Sequence, residues 1–356
     1  MVVGLRSYIA KRLVYSVFLI LIIILINFAI FKMMPGDPTA FLMQPWSRES
    51  PESRRAHQEQ IRALWGLNES FWVQLVKYTR NLLTFQFGDA FVDRQPISQT
   101  LARKLPYTLV LLGSSTIISI IIGVLWGILV IQKRGGLFDS ASVVSALFLG
   151  ALPTFWLGLV FLLIFYANLH WFPNAGAFPR EWAGNWPVAS TLSTHASASN
   201  LNIVFQFNAQ GFFTLIGGYL HHIALPLITL TVFFYGGWLL LTRATMLETI
   251  TDDYIMTARA KGLTERAILI KHALKNASLP LITSAALNFA FILTGAMITE
   301  TVFTYPGVGT WIWEAIQFLD YPVLMAVFYI SSIAVVVANI IADLIYGVID
   351  PRIKYG

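Results

Sequence analysis

Long apolar runs alternate with polar segments along the whole chain. Runs over about 13–33, 107–131, 140–167, 223–243, 280–300 and 324–347 each reach or approach the roughly 20 residues a helix needs to cross a bilayer's hydrocarbon core. The pattern predicts an all-α polytopic membrane protein with six transmembrane helices. Arg6, Lys11 and Arg12 precede the first run, whose one internal charge, Lys32, sits near its far end where a lysine can snorkel. No small-residue cleavage site precedes the Met34-Pro35-Gly36-Asp37-Pro38 break, so this run reads as an uncleaved span rather than a signal peptide. Small residues Gly113, Ser114, Ser115, Gly123 and Gly127 suit the second span to close helix packing, and Pro153 interrupts the third.

Two of the polar segments between spans are long. In residues 34–104 helical periodicity shows around Ile61, Leu64 and Leu67, and again around Val73, Leu75, Val76, Tyr78, Leu82 and Leu83. Residues 168–222 are Ser/Thr/Asn-rich with Trp171, Trp182 and Trp186, aromatics suited to anchoring a loop at the interface or to contacting an outside partner. Asn68-Glu69-Ser70 has the form of a glycosylation acceptor, a triplet that chance often supplies.

The most informative polar stretch runs from Thr251 to Pro280. Thr251 is placed to cap a helix of about 10 residues, Asp252 and Asp253 fall in its first turn, and Arg259 and Lys261 come before Gly262 as its C′ residue. A helix that short is marginal alone and must dock on something. Tyr254, Ala258 and Gly262 share one face, a surface that lets another backbone come close; an amphipathic helix lying on the bilayer surface is the plain alternative, and no partner for it is read within the chain itself. A second helix is predicted after Thr264, ending at Pro280 where the next span begins.

Composition agrees with the pattern: 56% of residues are hydrophobic and only 12% charged, which excludes an ordinary soluble domain. The net charge of +6 needs no nucleic acid to explain it. Thirteen Lys/Arg lie in the termini and in loops 132–140 and 243–279, against one in loops 168–222 and 301–322, so the former read as cytoplasmic. The 34–104 segment carries nine Lys/Arg against seven Asp/Glu, nearly cancelling, and exceeds the loop length to which that bias applies. Both termini are therefore expected inside, in the plasma or inner membrane.

Chemistry within the chain is sparse. There is no cysteine, no GxxxxGK[ST] to cradle a nucleotide and no HExxH, and His221 and His222 are adjacent, so their side chains diverge. No catalytic, cofactor or metal site is expected. Glu300 and Asp343 are the strongest intramembrane candidates, both near span ends, with structural and gating roles both open.

The run Tyr254, Thr257-Ala258-Arg259-Ala260-Lys261-Gly262-Leu263, His272-Ala273-Leu274, Asn276-Ala277 and Leu279-Pro280 resembles the cytoplasmic loop of ABC importer permeases, and more narrowly the B-type subunit of the dipeptide/oligopeptide importers. Met256, Thr257 and Ala258 stand where the general importer signature has Glu-Ala-Ala, a departure that fits the peptide branch. Glu300, Phe303, Pro306-Gly307, Gly309, Ala315, Asp320-Tyr321-Pro322, Asn339, Asp343, Tyr346 and Asp350-Pro351-Arg352 stand in the order those permeases show. The likeness covers nearly the whole chain, with roughly 30 residues inside 168–222 as an insertion beyond the family's usual loop.

The resemblance implies an N-terminal span at 1–33, an extracytoplasmic helical segment at 34–104 and a permease core at 105–348, with a coupling loop at 247–280. In that loop Tyr254, Thr257, Ala258, Arg259, Ala260, Lys261 and Gly262 would meet an ATPase. Glu300, Phe303, Pro306, Gly307, Asp320, Asn339 and Asp343 would be gate or pathway candidates. It also implies a second homologous permease, two ABC ATPase subunits that carry ATP and Mg, and an extracytoplasmic substrate-binding protein. Dipeptides and oligopeptides are the leading cargo and oligosaccharides the alternative; a channel or an intramembrane enzyme is the reading from another class.

Overall fold

The computed structural model describes residues 5–33, 50–65, 67–179, 194–197, 200–203, 209–292 and 295–349. Helices dominate. α1 (Leu5–Met33) is followed by α2 (Pro51–Trp65) and α3 (Phe71–Leu83), which stand where the periodicity of the 34–104 segment places them. α4 (Ile97–Gln132) carries Pro106 in its first third, and α5 (Leu137–Ala151) and α6 (Thr154–Phe161) meet at Pro153. A π-helical stretch, Leu162–Asn168, prolongs α6. Within 168–222 a short antiparallel hairpin departs from the all-α expectation: β1 (Thr194–Ser197) pairs with β2 (Asn200–Ile203), Thr194 opposite Ile203.

The chain then forms α7 (Ala209–Thr249), α8 (Asp253–Ala260) and the single turn α9 (Glu265–Ala267). A π-helical stretch, Ile268–Ala273, runs into α10 (Leu274–Phe291), and α11 (Met297–Val302), α12 (Val308–Gln317) and α13 (Tyr321–Ile349) complete the order.

Among the described residues four stretches of helix are long and apolar enough to cross a membrane: Lys11–Ile30, Ile97–Gln132, Phe213–Thr249 and Tyr321–Ile341. Two expected spans take a different form. The third is bent by 100° between Leu137–Ala151 and Thr154–Asn168. Leu152 precedes Pro153 and adopts an extended backbone (ψ 137°), as the proline ring requires of its neighbour, so the two halves count as one span only together.

The run expected over 280–300 is also divided. Pro280 does not start it, because helix continues through that proline from Leu274. At the other end α10 stops at Phe291, and Gly295, at φ +77°, turns the chain into α11. Glu300 is therefore on a short separate helix rather than at the end of a span. The expected fourth span likewise begins earlier than its apolar run, since α7 starts at Ala209.

α4 and α7 form the most extensive helix pair. A Cβ on Gly123 would collide with the Trp238 side chain and lie 2.7 Å from the Tyr235 carbonyl, and one on Gly127 would lie 2.7 Å from Thr242 Cβ. Only glycine permits that approach. Gly236 does the same on the other side of α7, where a Cβ would sit 2.7 Å from the Ala146 carbonyl of α5. Gly113, expected to share this packing role, faces open space. Buried hydroxyls are satisfied by their own helices: Ser115, Ser119, Thr229 and Thr242 each donate to a carbonyl three or four residues back, at 2.7–3.0 Å.

One charge pair lies inside this bundle. Arg243 donates through Nε to Asp139 Oδ1 at 2.7 Å and through Nη2 to Oδ2 at 2.9 Å, and Gly135 N–H donates to the same Oδ2 at 3.0 Å. The bidentate pair fastens the α4–α5 turn to the lower part of α7. Asp139 is 4% exposed, so removing Arg243 strands a buried carboxylate, whereas Arg243 is part-exposed and can reach water without its partner. Arg243→Gln is expected to lower stability by about 3 kcal/mol and Asp139→Asn by less, while Asp139→Leu with Arg243→Met should stay closer to the parent than Arg243→Gln. Sodium dodecyl sulfate titration of the purified variants checks this, and equal losses in single and double variants would contradict it.

Candidate functional site

The 251–280 stretch folds as two helices, with several changes in detail. Thr251 is not the cap: its hydroxyl donates to Glu248 O at 2.7 Å, finishing α7, and Asp252 takes the N-cap position of an eight-residue α8. The C-terminal end follows expectation. Gly262 has φ +75°, its N–H donates to Arg259 O at 2.9 Å, and Leu263 N–H reaches Ala258 O at 3.4 Å, a Schellman closure. Arg259 and Glu265 clasp α8 to α9 (Nε–Oε1 2.8 Å), and that hydrogen bond holds the Glu265 carboxyl below its usual range.

The expectation that this helix has no partner within its own chain is overturned. Ile255 and Ala258 of α8 are buried among Ile128 and Ile131 of α4, Met246 and Ile250, and Ile268, Leu269, Ala273 and Ala277 of the following helix. Apolar burial of this face supplies the stability that eight isolated residues lack. The face therefore reverses part of the sequence assignment. Ala258 points inward and Tyr254 is half-buried, whereas Met256, Thr257, Arg259, Ala260, Lys261 and Gly262 are exposed.

At the other end of α4 lies the second constellation. Glu300 is fully buried, and its carboxylate accepts from Thr108 Oγ1 at 2.9 Å and from Thr310 N–H at 3.1 Å. The Thr108 hydroxyl also accepts from Val308 N–H at 2.8 Å, and Glu300 O accepts from Tyr305 N–H at 2.8 Å. The 303–310 loop is thus wrapped around one side chain and tied to α4. Pro306-Gly307 and Gly309 fit this wrapping: a Cβ at Gly307 would fall on Glu300 Oε2, and one at Gly309 would lie 2.8 Å from it.

Neighbouring groups extend the knot. Phe303 is buried with its ring against Gly158 of α6, and its carbonyl accepts from Gly176 N–H at 3.1 Å. Tyr305 and Tyr219 share a hydroxyl hydrogen bond of 2.6 Å, and Tyr305 OH donates to Tyr107 O at 3.2 Å. His221 and His222 bond to the carbonyls of Trp171 (2.8 Å) and Ala175 (3.1 Å), holding the start of the 168–222 insertion. Beneath these aromatics, a cavity of about 520 Å³ is lined by Leu112, Thr116, Thr154, Phe234, Asn288 and Thr299, with no charged side chain among its lining residues.

Asp320 belongs to a separate contact. Its Oδ2 accepts from Val92 N–H at 3.1 Å, joining the segment after α3 to the start of α13, and burial pushes its carboxyl up to about 6. Asn339 is half-buried in α13; Asp343 lies on the same helix with its side chain outside the described residues. Trp182, Trp186 and Asp350-Pro351-Arg352 also lie outside the described residues. Thr108, Asp139, Arg243, Tyr107 and Tyr219 are the interacting groups that reasoning from the sequence misses. Only the charges of Asp139 and Arg243, at the margins of apolar runs, offered a signal there.

Two outcomes follow from this geometry. Gly307→Ala is expected to lower thermal stability by about 1–3 kcal/mol through the clash with Glu300, and Gly113→Ala to leave it unchanged; the two melting curves decide. Asp320 has its folded carboxyl raised above the ordinary value of 3.8, so its contribution is full below about pH 4 and is lost as pH rises through about 6. The melting temperature should fall across that window, and Asp320→Asn should flatten the slope.

Residues 119–355 match the family described as "Binding-protein-dependent transport system inner membrane component", and residues 5–112 match the N-terminal region described for the same systems. The oligopeptide transport system permease protein AppB of Bacillus subtilis is 34% identical over 350 residues, covering 98% of this chain and 99% of the relative. The dipeptide transport system permease protein DppB of Alkalihalophilus pseudofirmus is also 34% identical over 350 residues, with the same coverage. The di/tripeptide transport system permease protein DppB of Pseudomonas aeruginosa is 31% identical over 353 residues, covering 98% of this chain and 99% of the relative. With a match to the core family over two thirds of its length and full-length relatives above 30% identity, this chain belongs to the inner membrane components of binding-protein-dependent transport systems.

Proposed function

We propose that this chain is the B-type permease subunit of an ATP-driven ABC importer that moves dipeptides and oligopeptides across the plasma or inner membrane. Six membrane crossings with both termini inside put the α8 loop in the compartment that holds ATP, which the cationic bias of the loops supports. A second homologous permease would complete the path, and an extracytoplasmic binding protein would deliver cargo next to the 34–104 segment. Two ABC ATPase subunits would carry ATP and Mg. Relatives named for oligopeptide, dipeptide and di/tripeptide transport support peptide as the cargo.

The observation that carries the reading is the two-faced α8. Its inner face is locked to α4, α7 and α10 by apolar contacts, while its outer face presents Met256, Thr257, Arg259, Ala260 and Lys261. A load applied to the outer face passes directly into the long helices. ATP-driven closure of an ATPase pair would thereby displace α8 together with the α4–α7 pair, opening the path at the far side. The buried 300–310 knot and the uncharged cavity below it lie where such a displacement would open or close the route, with Glu300, Phe303, Pro306 and Gly307 as its gate.

Reversing the two outer cations, Arg259→Glu with Lys261→Glu, is expected to cut ATP-dependent peptide uptake by at least about tenfold. Membrane insertion should be unchanged, because neither side chain is in the buried seat. Reconstituted proteoliposomes with the partner subunits measure both. Uptake that persists at the parental rate would favour a channel and remove α8 as the coupling element.

A further inference from the structure

The helix α3 is amphipathic the wrong way round for a helix bathed in water. Its buried residues are Gln74, Tyr78, Asn81 and Leu82, and the Gln74 amide is committed to the carbonyls of Leu67 (3.1 Å) and Glu69 (2.7 Å). On the opposite side Trp72, Val76 and Leu83 share one face and are open to the surroundings, Trp72 at 71% exposure and Val76 at 67%. Phe85, just past the helix at φ +55°, is a further exposed ring. Polar groups thus face the chain while large apolar groups face out. Contiguous apolar surface of this kind marks contact with another protein or with a membrane.

The attachment of α3 decides between the two. Phe28 of α1 is buried with its ring 5.4 Å from that of Phe71 and 5.3 Å from that of Tyr78, so α3 is fastened to the last turns of the apolar stretch Lys11–Ile30. That stretch is long and apolar enough to cross a bilayer and is almost wholly uncovered within the chain, with Leu25, Ile26 and Ile30 exposed around the same turns. Phe71 in turn packs edge-on against Trp72 at 5.2 Å. An unbroken run of rings therefore leads from the end of the spanning helix to the exposed face of α3, and a face so joined meets the bilayer before it meets a water-borne protein. Arg80 is exposed in the last turn of α3, where a long basic side chain can lay its stem on apolar surface and turn its charge toward headgroups.

We propose that α3 lies in the membrane interface, with Trp72, Val76 and Leu83 seated in the boundary between the headgroups and acyl chains of a phospholipid bilayer. Held there, α3 would brace the end of α1 and fix how far the 34–104 segment stands from the membrane. The inference depends on neither the cargo, the ATPase partners nor the orientation of the chain.

The chain has no cysteine, so single nitroxide labels can be placed at Trp72→Cys, Val76→Cys and Leu83→Cys of the full chain in phosphatidylcholine nanodiscs. Each label replaces an exposed side chain, and melting with the parent shows that the fold is kept. Power-saturation electron paramagnetic resonance then compares molecular oxygen, which partitions into lipid, with a water-soluble nickel chelate. All three labels should be relaxed more strongly by oxygen and report a depth of about 5–10 Å into the boundary between headgroups and acyl chains. Stronger relaxation by nickel at Trp72 and Val76 would put the face in water and overturn the proposal. Shielding from both reagents would show the face covered by protein, a second copy of the chain included, and would overturn it as well.

Discussion

The approach of α4 to α7 is the constraint from which the rest of the structure hangs. Gly123 and Gly127 have no side chains to hold the helices apart, and Trp238, Leu239 and Thr242 fill the space a Cβ would need. In a bilayer the apolar surroundings give helices no hydrophobic reason to associate, so this close van der Waals fit is the attraction. Ser115, Ser119 and Thr242, buried in these two helices, each bond back to a carbonyl of their own helix. The glycines therefore set the distance, and the helices on either side of α7 take their positions from it.

α4 then carries that positioning over its whole length, about 54 Å for 36 residues at 1.5 Å each. Near one end, Thr108 holds the carboxylate of Glu300 and the amide of Val308. Near the other, Ile128 and Ile131 receive Ile255 and Ala258 of α8. One helix thus touches both α8, proposed as the coupling element, and the loop proposed as the gate. No chain of subtle rearrangements is needed to connect them, because a rigid helix with both attachments moves both together.

Buried charge appears where elements distant in sequence must be fixed in register. Asp139 meets Arg243 across 104 residues, Glu300 meets Thr108 across 192, and Asp320 meets the amide of Val92 across 228. Each carboxylate gains a directional partner in place of water, and each contact tolerates little displacement. Apolar packing alone would let these loops slide. The polar anchors select one arrangement among apolar helix faces that could otherwise pack in several.

Much of this was legible in the chain. The apolar runs placed α1, α4, α7 and α13, the periodicity of the 34–104 segment gave α2 and α3, and the position of Gly262 marked the end of α8, because each depends on local spacing and backbone conformation. The sequence also marked the 300–310 stretch as special through its Pro and Gly residues, without indicating what they surround. Only the tertiary structure decided that Pro153 bends a span by 100° while Pro280 leaves α10 intact, since the same ring is tolerated or not according to what packs beside it. It alone decided that Ala258 faces the chain's own core, that Glu300 leaves the span, and that Thr108 is its partner. Those facts rest on contacts between residues remote in sequence, and a periodicity of 3.6 carries no record of which distant surface a helical face will meet.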